Sequence, residues 1–166
     1  MMAIQPPPLP DLPTWYQIAR KELDKGVKEV AGPKSNARIL EYHHSCTSSI
    51  ISDEVAWCAA FVGWCLREAG VKSTGSSSAR SYMDYGIKLE TPKVGCIVVF
   101  SRPPKPGQGH VAFYVGKDVN GDLIVLGGNQ GNRVSTSTYP SSRLLSHRWP
   151  FTRADQMSVP MLEWSR

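Results

Sequence analysis

The sequence predicts an α+β domain, with helices from its first half packed on an antiparallel β-sheet built from its second half. Two observations carry that prediction. Up to Tyr85 the apolar residues recur at helical spacing, whereas after Gly86 they gather in short runs rich in Val, Ile and aromatics, separated by turn residues. A third sets the scale: 166 residues, 41% hydrophobic and 20% charged, suffice for one core and leave little room for a second.

Taken in order, Thr14 is placed to cap a first helix in which Trp15, Ile18, Ala19 and Leu23 share a face, and Gly26 ends it. After the Gly32-Pro33 break, Ser35 or Asn36 starts a short second helix carrying Ile39, Leu40 and His43. Ser45 to Ser52 reads as loop. From Val55 to Ala69, VAWCAAFVGWCLREA has the strongest helical period, with Cys58, Phe61, Val62, Cys65, Leu66 and Ala69 in one stripe. Asp53 and Glu54 precede it, where the helix dipole favours negative charge, and Gly70 follows it. The serine-rich run Ser73 to Ser78 leads into a short helix around Ala79 to Tyr85. Strands are expected at Gly95–Phe100, Val111–Val115 and Leu123–Leu126, with Asn120-Gly121 turning between the last two, and further strands at Arg133–Thr138 and Leu144–Trp149. This divides the chain into a Pro-rich arm (1–13), one domain (14–152) and a tail (153–166).

Nineteen Lys and Arg against fourteen Asp and Glu give a net charge of +5 and a pI near 9.1, which favours anionic partners such as nucleic acid or a bacterial cell wall. The strands carry no basic stripe with interleaved aromatics, so nucleic acid is not the expected partner. No apolar run approaches the roughly 20 residues of a membrane-spanning helix, and no membrane insertion is expected. The first ten residues have neither the basic start nor the apolar stretch of a secretion signal. Synthesis in the cytoplasm and export by another route are therefore expected. The four cysteines, Cys46, Cys58, Cys65 and Cys96, are expected as reduced thiols. Cys58 and Cys65 cannot pair within one helix, where seven residues span roughly 10 Å.

Three residues stand out for chemistry. Cys58 falls in the opening turns of the strongest helix, where unpaired N–H groups stabilise a thiolate, although its place in an apolar stripe also fits a buried core residue. His110 begins a strand in which alternation sets His110, Ala112 and Tyr114 on one face; if that face packs on the Cys58 helix, the imidazole reaches the thiol as a base. Asn129, at the end of the next strand, offers an amide to hold the ring, and Gln130 is a second polar option. Metal readings are weak. His43-His44-x-Cys46 lacks a second ligand pair at zinc spacing, and Asp118 to Asp122 resembles the start of a calcium loop without its bidentate Glu. No metal or other cofactor is expected.

These segments together resemble the papain-like cysteine hydrolases of the NlpC/P60 and CHAP type, which cut the peptide part of bacterial peptidoglycan. The resemblance covers roughly residues 14–152 and rests on Trp57-Cys58-Ala59-Ala60-Phe61-Val62, Ala79-Arg80-Ser81-Tyr82, Val94 to Phe100, Gly109-His110-Val111 and Leu126 to Gln130. It implies a papain-like fold, with Cys58 as nucleophile, His110 as general base and then acid, and Asn129 orienting His110. It also implies an oxyanion site that includes the Cys58 backbone N–H, and substrate contacts from Trp57, Arg80, Ser81, Tyr82 and Gln130. The chain departs from the family at Cys96, where an acidic residue is usual, and at Gly127, where many CHAP relatives have Glu. The implied role is that of a peptidoglycan endopeptidase or N-acetylmuramoyl-L-alanine amidase. It would be monomeric and act in the periplasm or wall, either as a phage endolysin released with a holin or as a delivered antibacterial effector met by an immunity protein. The competing reading is a catalytically silent wall-binding module of the same fold.

Overall fold

Among the described residues the apolar spacing of the first half folds into three α-helices, α1 (Thr14–Asp24), α2 (Ala37–His44) and α3 (Cys58–Glu68). The structure is a computed structural model that describes residues 12–31, 35–46, 56–105 and 107–151. The proline-rich arm up to Asp11, the expected loop from Thr47 onward with Asp53 and Glu54, and the tail after Phe151 lie outside the described residues.

Local chemistry moves two of the expected helix starts. Thr14 is not the cap of α1: Pro13 holds that position in extended conformation and its carbonyl accepts from Tyr16 and Gln17 N–H, so Thr14 is already helical. α3 starts at Cys58, not Val55. Trp57 is its non-helical cap, with its indole stacked on Tyr42 and its Nε1 donating to Glu29 Oε1 at 2.9 Å. These contacts tie Trp57 into the core, and they make Cys58 the first residue of the helix. Asn36 caps α2 as the sequence suggested, its side chain accepting from Arg38 N–H. α3 is buried on every side from Cys58 to Leu66, since α1 and α2 cover one flank and the sheet the other.

The second half forms six antiparallel strands: β1 (Ile87–Lys88), β2 (Ile97–Ser101), β3 (Gly109–Lys117), β4 (Leu123–Gly127), β5 (Ser135–Tyr139) and β6 (Leu144–Trp149). Their order is β1-β6-β2-β3-β4-β5. This is the α+β arrangement expected. The two-residue β1 has no alternation to betray it and forms only because β6 offers Trp149 and Arg148 as partners. The expected helix at Ala79 to Tyr85 shortens to a 3-10 turn over Ala79–Tyr82.

Val111 and Phe113 join the helices in the larger core, where Phe113 meets Phe61 of α3, whereas Ala112 and Tyr114 face a second cluster with Cys96, Val98, Phe100 and Val125. The sheet curls around this second cluster. β2 and β5 stand three places apart, roughly 14 Å in a flat sheet, yet Phe100 and Tyr139 stack with ring centroids 4.8 Å apart. α3 therefore docks on the Val111 face of β3, because the larger apolar side chains lie there; the condition that the Ala112 face, which carries His110, packs on this helix is not met, and Cys58 nears the His110 end through the strand backbone instead.

Candidate active site

Cys58 heads α3 with 8% of its surface exposed. Its sulfur lies against the backbone N–H of Val111, the residue after His110, as well as that of Ala59. α3 thus meets β3 at the strand backbone. Burial raises the thiol above its ordinary range; the N–H groups of Val111 and Ala59 and the positive charge of Arg102 pull the other way without prevailing.

His110 is fully buried near the start of β3, opposite Phe100 of β2. Its ring lies nearly parallel to that of Tyr139, with centroids 4.8 Å apart. Nε2 is 2.8 Å from Gln130 Oε1, while Gln130 Nε2 donates to the Ser135 carbonyl at 2.7 Å. That second bond fixes which end of the amide faces the imidazole. An amide oxygen only accepts, so His110 carries its proton on Nε2 and presents a lone pair on Nδ1. Nδ1 is buried and has no hydrogen-bond partner among the described residues. Burial lowers the imidazole to about 4; the Gln130 bond opposes this, and the charges of Arg102 and Arg143 add to it. Thiol and imidazole therefore both rest neutral near pH 7.

The ring holder is Gln130 rather than Asn129. Asn129 sits in the left-handed turn region at φ 56°, whereas Gln130 is 4% exposed and anchored by its N–H to Arg133 O and by its carbonyl, which accepts from Ser135 Oγ. The departure at Gly127 has a physical counterpart here. A Cβ on Gly127 would fall 2.8 Å from Gln130 Oε1 and 2.9 Å from Ala112 Cβ, so the bare glycine and the small alanine together make room for this amide.

The expected substrate contacts divide. Trp57 and Tyr82 are fully buried and belong to the core: the bare Cα of Gly128 admits the Trp57 ring, and Tyr82 packs on Gly63 and the Tyr85 ring. Ser81 Oγ donates to Ser78 O and bonds Thr74 Oγ1, holding the 3-10 turn. Gln130 is taken up by the His110 ring, and Arg80 reaches the neighbourhood of the site, its Nε donating to Gln108 O at 3.0 Å and its side chain lying beside Gly109. Cys96 is a core thiol whose burial lifts it to about 11. Cys58, Cys65 and Cys96 are free thiols. Asp118 Oδ1 accepts from Asn120 and Asp122 N–H, bonds that belong to the hairpin turn.

Sequence reading missed Tyr139, Arg102 and Arg143. Tyr139 is six residues beyond Arg133 and meets His110 only because the sheet curls; Arg143 lies over the Tyr139 ring at 5.4 Å. Arg102 had a visible signal, since it directly follows the strand that pairs with His110.

The family model of the CHAP domain matches residues 50–129, a span that contains Cys58, His110 and the glycines before Gln130. Over those residues the chain is similar to the CHAP domain. The activity attached to the CHAP domain is hydrolysis of peptidoglycan, as an amidase or peptidase. Gln130, Tyr139 and Arg143, which surround the His110 ring, lie beyond the matched span. No curated protein matches the sequence. No helix among the described residues is long and apolar enough to cross a membrane.

Proposed function

We propose that this CHAP-like domain cuts an amide bond in the peptide part of peptidoglycan through a thioester on Cys58. The observation that carries the reading is the meeting of the α3 start with the His110 end of β3, beside an imidazole whose tautomer Gln130 fixes. His110 Nδ1 takes the thiol proton as sulfur attacks the carbonyl carbon, and the backbone N–H of Cys58 stabilises the oxyanion. The C–N bond then breaks as His110 returns that proton to the leaving amine. Water, deprotonated by the same nitrogen, hydrolyses the thioester to a carboxylate and regenerates the thiol. Gln130 keeps Nε2 protonated throughout, and Tyr139 holds the ring plane.

The positive net charge supports adhesion to an anionic wall and action in the wall or periplasm, as a phage endolysin or a delivered effector. The test is digestion of purified sacculi, with mass spectrometry of the products to identify the new termini. Wild-type protein should release fragments with one class of new amine and carboxyl end, while Cys58→Ala and His110→Ala should release none while remaining folded. Undiminished release by Cys58→Ala would end this mechanism.

A further inference from the structure

Beside the His110 end of β3 lies an open cleft of about 250 Å³ lined by Arg80, Ser101, Arg102, Pro103, Pro104 and Lys105. It has three cationic side chains and no acidic one, and none of the three forms a salt bridge among the described residues. Its place is set by the sheet, for Ser101 pairs with Gly109 next to the Phe100–His110 pair. Arg80 lies against the strand at Gly109, and Arg80 Nε is engaged by Gln108 O, which leaves the terminal amino groups of the guanidinium for a ligand. Arg102 is close enough for its charge to bear on Cys58, His110 and Tyr139 alike. The cleft therefore lies at the His110 end of the β2–β3 pair, with one of its cations within electrostatic range of the proposed reaction centre.

We propose that this cleft is a carboxylate-binding subsite that receives an acidic residue of the peptide substrate next to the scissile amide. Guanidinium groups fork a carboxylate with geometric specificity, and the proline walls suit the short apolar stem that carries it. The identity of the ligand as a wall peptide rests on the hydrolase reading; the preference for a carboxylate does not.

The test uses the Cys58→Ala protein, which cannot turn over, and two stem peptides that differ only in a free carboxylate or a carboxamide on the residue beside the scissile bond. Binding measured by calorimetry should favour the carboxylate form about tenfold. Arg102→Gln in that background should abolish most of the preference, whereas Lys21→Gln, which removes one charge on α1, should preserve it. Equal affinity for the two peptides, or a preference unchanged by Arg102→Gln, would overturn the proposal. A preference that survives while wild-type protein cleaves neither peptide would keep the subsite and refute the hydrolase reading.

Discussion

Acidification should expose the buried state of His110. In the native protein its imidazole is lowered to about 4 by burial, against an ordinary value of 6.5 that the unfolded chain recovers. Between those values the unfolded chain binds the proton and the native one does not. The contribution of this group is therefore neutral above pH 6.5, becomes destabilising as pH falls through the window, and levels off below pH 4. At roughly 1.4 kcal/mol per pH unit the limiting cost is about 3 kcal/mol. The assay is urea unfolding from pH 8 to 3.5 on wild type and His110→Asn, which has no group to titrate at this position. The difference between the two proteins should be flat down to pH 6.5 and then shift by about 3 kcal/mol against the wild type. The His110 ring proton, assigned by its loss in the variant, should hold its chemical shift to below pH 5. The same neutrality predicts an acid limb of kcat/KM set near pH 4 by the free enzyme. A ring that titrates near its ordinary value, with no stability difference between the proteins, would refute the reasoning.

Three further outcomes follow from particular contacts. Gln130→Ala strips partners from His110 Nε2 and the Ser135 carbonyl and should lower kcat by about 10- to 100-fold in a sacculus-clearing assay, with Asn129→Ala costing much less. Gly128→Ala places a Cβ 2.7 Å from Phe61 Cβ and the Trp57 ring; it should destabilise the fold by about 1–3 kcal/mol in denaturant titration. Iodoacetamide should label Cys58, which is 8% exposed, well before Cys65 and Cys96, both fully buried, as read by peptide mapping.

Much of this architecture was legible in the sequence because it depends on local pattern. The helical period around Phe61, the Val- and Ile-rich strands and the Asn120-Gly121 turn each announce an element independently of what packs on it. The positions of Cys58 and His110 were legible for the same reason, one at a helix start and one at a strand start. What was not legible depends on curvature and volume. Tyr139 reaches His110 only through the curl of the sheet, and α3 chose the Val111 face through the bulk of Phe113 and Phe61. The exchange of Asn129 for Gln130 is a matter of space: with only hydrogen at Gly127 and a methyl at Ala112, the longer amide folds back into the gap, while Asn129 occupies the left-handed turn at φ 56°. Trp57 looked like a groove residue because it precedes the cysteine, and its burial follows from Glu29 and Tyr42, partners distant in sequence.

Trapping the covalent intermediate tests the central claim most directly. Wild-type protein mixed with a stem peptide, quenched in acid within the first turnover and mapped by mass spectrometry should carry the acyl fragment as a thioester on Cys58. His110→Ala should accumulate no such adduct over the same interval. Cleavage that proceeds in Cys58→Ala, or an acyl group found on any other residue, would contradict the account.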